Sequence, residues 1–387
     1  MSTSVPSTPF VALARPAVGA DEIAEVIAAL ESGWLTTGPR VAAFEQAFAR
    51  YVGAPHALGL NSCTAALHLS LLASGIGAGD EVITTPLTFC ATANSIIHTG
   101  ATPVFADVDP ITRNLDPDAV EAAITPRTRG IVVVHLGGHP ADMRRFRALA
   151  DRHDLALIED AAHAVETYSN MGKVGTIADF SCFSFYSTKN LTTGEGGMVT
   201  TSDATADAFM RTAGLHGLSR NGWNRYARGG SPHYEVLLAG FKYNMMDLQA
   251  AIGLGQLARL DQMHARRAAI VAEYDRALAA LPLALPAQVA ADERHGHHLY
   301  AVQVEPSRGG LSRDKVQAAL AEAGIGTSIH FRALHLHRFY ADRLGVARGQ
   351  FPHAERLSDS LLSLPLSASL TDDDLARVIA AVVDVLR

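Results

Sequence analysis

The chain has 387 residues, 48% of them hydrophobic and 18% charged, which is enough apolar material for a large core and argues for one large domain with a smaller companion or for two domains. A formal net charge of −7 argues against general nucleic-acid binding, which needs a basic surplus, and no apolar run reaches the ~20 residues of a bilayer span. Cys63, Cys90 and Cys182 lack the spacing of a disulfide framework or a zinc site, and the opening MSTSVPSTPF lacks a secretory layout, so a cytoplasmic location without membrane or nucleic-acid partners is expected.

Along the chain, DEIAEVIAALE places Ile23, Val26, Ile27 and Leu30 on one helical face. A second helix starts near Pro39, a residue favoured in a first turn, with Val41, Phe44, Phe48 and Tyr51 as its apolar stripe. An alternation follows. HALGL, DEVITTP, TPVFADVD, RGIVVVHLGG, LALIEDAA and DFSCFSF read as strands, and TAALHLSLLASG, CATANSIIHTG and ADMRRFRALADRH as helices. Near-continuous apolar strands between amphipathic helices predict an α/β fold, a mostly parallel sheet covered on both faces, with ligands gathered at the carboxyl ends of its strands. The stretch from LQAAIGLGQL to RALAALP reads as one long helix. Beyond it, HLYAVQV and GIGTSIHF read as strands and SRDKVQAALAEAG and TDDDLARVIAAVVDVLR as helices. This predicts a large domain over residues 1–255 and a smaller α+β domain over 256–387.

Several residues in this frame carry chemistry, and each has a plainer reading. Asp160 ends the buried strand LALIED, as a functional carboxylate or as a helix cap. Asn61, Ser62, Cys63 and Thr64 open a helix whose free N–H groups and dipole suit a phosphate, or which is simply capped. Phe89 stands past a strand end, as a plate for a planar ring or as core. Ser184 is a hydroxyl in an otherwise apolar strand. Lys189 lies between aromatic residues and the glycines Gly194, Gly196 and Gly197, a setting that a surface lysine does not require. Together these are the parts that hold pyridoxal phosphate: a Schiff-base lysine, a carboxylate for the pyridine nitrogen, an aromatic plate and a phosphate cradle.

The sequence resembles the DegT-type (DegT/StrS) sugar-nucleotide aminotransferases, within the aspartate-aminotransferase-like fold type I. The resemblance runs from ARPAVGADEIAEVIAALESGWLTTGP to GIGTSIHFRALH. It is most specific in GDEVITTPLTFCATANSIIHTGATPVFADVD, LALIEDAAHA, FSFYSTKNLTTGEGG and GFKYNMMDLQAAIGLGQL. It implies a seven-stranded sheet, pyridoxal 5′-phosphate as cofactor, and transfer of an amino group, with L-glutamate as the expected donor, to a nucleotide-linked keto sugar. Enzymes that aminate C4 of UDP-linked 4-keto sugars are the most similar in pattern.

The same resemblance implies Lys189 as the catalytic Schiff-base lysine and proton shuttle, and Asp160 as partner of the pyridine nitrogen. His163 is implied near the phenolic oxygen, Phe89 on the ring, and Cys63, Thr64 and Ser184 around the phosphate. Asn244 is implied to reach the phosphate of a neighbouring subunit, which makes the expected unit a homodimer with shared active sites. His330 is implied at the substrate mouth. Relatives with histidine in place of the lysine are sugar dehydratases; Lys189 favours transamination. The turn TYSNMGKVG departs from the family's basic, glycine-rich pattern at Asn170 and Met171.

Two further features remain open. Arg220, Arg225 and Arg228, with Trp223 and Tyr226, read equally as a diphosphate- and base-binding loop or as a solvated one; Arg228 is taken as a substrate candidate. His295, His297 and His298, and His335 with His337, lack a carboxylate at ligand spacing, so no metal is expected. The competing functions are a pyridoxal-phosphate lyase or cyclase acting on a non-sugar substrate, and a regulator that binds the cofactor without turnover.

Overall fold

The computed structural model describes residues 10–219, 233–305 and 310–387. Among the described residues the strands are β1 (His56–Leu60), β2 (Glu81–Thr84), β3 (Thr102–Phe105), β4 (Thr128–Val134), β5 (Ala156–Asp160), β6 (Tyr168–Ser169), β7 (Gly172–Lys173), β8 (Phe180–Ser184), β9 (Gly197–Thr201), β10 (Leu283–Ala284), β11 (Tyr300–Val304) and β12 (Leu361–Leu364). Seven of them form the main sheet in the order β1-β9-β8-β5-β4-β2-β3. Five consecutive members, β8, β5, β4, β2 and β3, are parallel, as their unbroken apolar runs predict.

β9 is the strand that the alternating pattern does not reveal. GMVTT follows the glycine turn directly and pairs antiparallel with both β8 and β1. Being antiparallel, it begins at the edge where the parallel strands end. Leu60 and Ser184 therefore both sit opposite Gly197, in register. Buried helices complete both faces; Cys63–Ala73 is apolar nearly all round, as befits a helix packed on several sides.

The long helix expected after residue 246 is two helices, Asp247–Ala258 and Leu260–Leu278, broken at Arg259. The backbone there leaves the helical region (φ −107°, ψ 3°), and the Arg259 guanidinium bonds the Ala17 carbonyl and Glu22 instead of solvent. β10, β11 and β12 form a separate antiparallel sheet with its own apolar cluster, built around Tyr274, Tyr300 and Val378. Val11 joins that cluster from the other end of the chain, bridging to Ile325. GIGTSIHF forms isolated bridges, Ile325 to Val11 and Ser328 to Ser363, and not the strand expected from its sequence.

The helix Ala20–Glu31 has the predicted period, but its stripe points outward. Ile23, Ile27 and Leu30 are 56%, 49% and 53% exposed, while Glu22 and Ala29 are buried. Among the described residues no helix is long and apolar enough to cross a membrane.

Candidate active site

The carboxyl ends of β1, β2, β4, β5 and β8 meet at one edge of the sheet, and a cavity of about 380 Å³ opens there. It is lined by residues from every one of these ends: Cys63 and Thr64 after β1, Thr88 and Phe89 after β2, Val134 on β4, Asp160 on β5 and Ser184 on β8. Lys189 enters it from the turn between β8 and β9, and His298, His330 and Phe331 close it from the C-terminal part of the chain.

Asp160 is buried and ready to hold a charge. Thr92 donates its hydroxyl to Oδ2 at 2.7 Å, and the Ala162 N–H donates to Oδ1 at 3.2 Å. Thr88 lies 2.9 Å from Thr92, and because the Thr92 proton is committed to Asp160, Thr88 donates to Thr92. Burial still pushes the Asp160 carboxyl up, against Thr92, Ala162 and the Lys189 charge, which favour the carboxylate. A protonated ring nitrogen beside it would relieve that penalty.

Lys189 shows the opposite shift. Burial brings its amine down to about 8, opposed by the attraction of Asp160 and Cys63. At neutral pH roughly a tenth of such amines are uncharged, against well under one in a thousand for a free lysine.

The glycines around this lysine are tightly placed. Gly194 has φ +79°, a region that a side chain would strain. A side chain at Gly196 would strike the Thr193 hydroxyl, and one at Gly197 would strike the backbone of Ser62 and Cys63. That close approach brings the start of helix Cys63–Ala73 against β9. Ser62 caps the helix, its hydroxyl accepting from the Ala65 N–H at 3.1 Å. The N–H groups of Cys63 and Thr64 fall in the first turn, where no intrahelical acceptor exists. The Cys63 thiol donates to the Cys182 carbonyl at 3.4 Å, and burial raises it well above its usual range, so its side chain is structural.

His163 is buried beside Asp160. Its Nδ1 accepts from the Gly137 N–H at 3.1 Å, and burial, with the Lys189 charge, holds it neutral, so its proton sits on Nε2. Phe89 is 59% exposed at the cavity wall, its ring centroid 6.1 Å from that of Phe331. Phe331 in turn lies nearly parallel to His163, at 13° and 6.1 Å. His330 bonds Ser363 Oγ through Nδ1 at 2.9 Å, and burial brings it down to about 4.

The cavity therefore brings together Lys189, Asp160, His163, Phe89, Cys63, Thr64, Ser184 and His330. Asn244 is hydrogen-bonded to Thr37 Oγ1 at 2.7 Å and receives the Lys242 ammonium; it does not line this chain's cavity. Arg220, Trp223, Arg225, Tyr226 and Arg228 lie outside the described residues. Asn170 and Met171 form the tip of the β6–β7 hairpin, where Asn170 bonds Asp142 at 2.8 Å, away from the cavity.

Sequence reasoning missed Thr88, Thr92, Phe331, Asn190 and His298. The i, i+4 spacing of the two threonines that flank Phe89 is a usable signal for the first pair. His298 sat in a histidine cluster weighed only for metal. Residues Asn190 and His298 are linked at 3.1 Å, and Asn190 is held by the buried pair of Glu166 and Arg267.

The family model described as the DegT/DnrJ/EryC1/StrS aminotransferase family matches residues 16–383. The chain belongs to that family. It is 51% identical over 379 residues to the spore coat polysaccharide biosynthesis protein SpsC of Bacillus subtilis, covering 98% of this chain and 97% of that one. The pyridoxamine-phosphate form of the sugar aminotransferase Spr1654 of Streptococcus pneumoniae, described as putative, superposes with a TM-score of 0.90 at 32% identity, over 98% of this chain and 99% of that one. PseC of Helicobacter pylori, an aminotransferase in pseudoaminic acid biosynthesis, gives 0.90 at 28% identity, over 97% and 99%.

The enzyme is therefore a sugar aminotransferase of fold type I, dependent on pyridoxal phosphate. The cavity suits that cofactor on grounds of its own. A buried carboxylate short of a counter-charge, a lysine amine held near neutrality and an uncommitted helix start converge on one 380 Å³ space.

Proposed function

We propose that the enzyme moves the amino group of L-glutamate to the keto carbon of a nucleotide-linked sugar, in two half-reactions that share Lys189. The observation that carries this reading is the Lys189 amine, brought down to about 8 in one cavity with the buried Asp160. Bound pyridoxal phosphate supplies an aldehyde and an electron-accepting ring. Lys189, as the neutral amine, would hold the aldehyde carbon and would have its Nζ free for proton transfer once an amino donor takes that place. Its Nζ then takes the proton from the donor's α-carbon. In the second half-reaction it delivers a proton to the sugar carbon that receives nitrogen.

Asp160, aligned by Thr92 and Thr88, pairs with the ring nitrogen. His163 offers its Nε2–H to the phenolic oxygen, and Phe89 covers the ring. The N–H groups of Cys63 and Thr64, with the Ser184 hydroxyl, receive the phosphate. His330 meets the substrate at the mouth, and Arg228 is kept as a further substrate-binding candidate. Residues 1–255 act as the large, cofactor-holding domain and 256–387 as the smaller one.

The working unit in this reading is a homodimer in the cytoplasm. The outward stripe of Ile23, Ile27 and Leu30 supports a dimer, as a helix of this period normally buries its apolar face. Asn244, absent from this chain's own cavity, would complete the partner's phosphate site.

The test supplies the holoenzyme with L-glutamate and a UDP-linked 4-keto-6-deoxyhexose. The reading predicts 2-oxoglutarate in amounts matching the amino sugar formed. Sustained breakdown of an amino acid without any sugar would favour the lyase reading, and no turnover of either would favour the regulator.

A further inference from the structure

His298 lines the cavity with Lys189, and its protonation is fixed by Asn190, the residue that follows that lysine. The amide of Asn190 donates through Nδ2 to the Gly296 carbonyl at 2.7 Å and to Glu166 Oε2 at 2.9 Å. A carbonyl only accepts, so the atom facing it must be the amide nitrogen. Asn190 Oδ1 is then the atom that faces His298 Nδ1, at 3.1 Å. An amide oxygen only accepts as well, so His298 carries its proton on Nδ1. Burial, with the charges of Lys189 and Arg267, keeps the ring neutral, which leaves Nε2 with a bare lone pair.

The neighbouring imidazole is fixed the other way. His163 accepts the Gly137 N–H on Nδ1 and so presents Nε2–H. The two rings stand 4.3 Å apart at 35°. One is a donor and the other an acceptor, in the same cavity.

A fixed acceptor is matched only by a group that can donate. The phosphate and phenolic oxygens of the cofactor and the carboxylates of glutamate are all acceptors, and would meet repulsion at His298 Nε2. Among the groups that the reaction brings to the cavity, the donors are the Lys189 amine, the amino group of the donor, and the hydroxyl or amide N–H groups of the sugar. The first two act at the reacting carbon, where they must change bonding partners during the cycle. A sugar substituent beside the keto carbon keeps its proton throughout. We infer that His298 is a specificity-determining residue whose Nε2 accepts a hydrogen bond from the hydroxyl or amide N–H on the carbon next to the sugar's keto carbon.

This inference rests on the sugar aminotransfer proposed above. The relay Arg267–Glu166–Asn190 acts through His298 and is a positioning device: it sets which ring nitrogen faces the substrate. An acceptor buried in this way rejects an analogue lacking the donor, because it is then left unpaired.

Two measurements test it. Long-range proton–nitrogen spectra of the cofactor-free protein are expected to show His298 protonated on Nδ1 and bare on Nε2, with His163 reversed. A protonated Nε2 or an imidazolium at His298 at neutral pH overturns the inference whatever the activity.

The second compares the native holoenzyme with His298→Gln and His298→Phe, using a UDP-linked 4-keto-6-deoxyhexose and its analogue lacking the hydroxyl beside the ketone. The native enzyme is expected to prefer the hydroxylated sugar by ~10–100-fold in kcat/KM. His298→Gln, whose amide oxygen lies near the Nε2 position, keeps most of that preference, and His298→Phe loses it. In His298→Phe the sugar half-reaction falls at least ~10-fold more than the glutamate half-reaction, followed by cofactor absorbance. Equal losses in both halves, or a preference that survives in His298→Phe, overturn this inference alone. Turnover of neither sugar by the native enzyme overturns the aminotransfer reading with it.

Discussion

Thr92 donates its hydroxyl to Asp160 across 2.7 Å, joining the first turn of helix Cys90–His98 to the end of β5. The bond orients a buried carboxylate whose charge is otherwise penalised. Thr92→Val keeps the shape and removes the donor, so the Asp160 carboxyl should rise further and hold a protonated ring less well. Cofactor affinity is expected to fall ~10-fold, the usual scale for a hydrogen bond to a charged group, and Thr92→Ser should restore most of it. Titration of the cofactor-free protein with pyridoxal phosphate checks this; unchanged affinity in Thr92→Val would contradict it.

Lys189 should impose a pH dependence on cofactor uptake. Only the neutral amine attacks an aldehyde, so the uptake rate should climb through pH 6 to 8 and level off above about 8. The same shift acts on stability. Below pH 8 both the folded and unfolded lysines are charged, and burial of that charge costs stability in full. Between about 8 and the ordinary lysine value of 10.5 the unfolded chain binds more protons, so stability rises with pH. Lys189→Met should therefore raise the melting temperature of the cofactor-free protein at pH 7, with the gain shrinking as pH passes 8 to 10. Melting curves across that range check it.

Gly197 cannot carry a side chain without moving the start of helix Cys63–Ala73. Gly197→Ala should cost ~1–3 kcal/mol of stability, as overpacked sites do, and should weaken cofactor binding by shifting the N–H groups of Cys63 and Thr64. Gly33, whose added carbon meets nothing within 4 Å, is left-handed at φ +71° and serves as a control for backbone strain alone. Thermal melts and cofactor titration separate the two effects.

The dimer is tested by mixing two impaired proteins. If Asn244 completes the partner's site, a mixed dimer of Lys189→Ala with Asn244→Ala holds one intact site and one doubly damaged one. Random exchange should recover about a quarter of native activity from two weak parents. Ile27→Asp, placed in the middle of the outward stripe, should raise the monomer fraction in sedimentation and abolish this recovery. No recovery with intact mixed dimers would show that Asn244 serves another purpose.

Much of this site was legible because its parts sit where strands end. Asp160, Ser184 and Phe89 follow from apolar runs that stop at the same sheet edge, and Lys189 from its contrast with the flanking residues. β9 was hidden because GMVTT follows its turn without a helix between, against the alternating pattern. The break at Arg259 was hidden because no proline or glycine marks it; a tertiary bond to Ala17 and Glu22 does the work. The outward face of helix Ala20–Glu31 shows a limit of periodicity, which finds an apolar stripe and not the surface that covers it. Asn190 and His298 lie 108 positions apart, and nothing local in either segment announces the other.

Reduction of the holoenzyme with borohydride, followed by peptide mapping, bears most directly on the central claim. The chain has only four lysines, Lys173, Lys189, Lys242 and Lys315, so assignment of a pyridoxyl group is unambiguous. The label is expected on Lys189 alone, at close to one per chain, and should vanish when L-glutamate is added before the reduction. A label on another lysine, or none on a protein that still shows bound cofactor, would contradict the account.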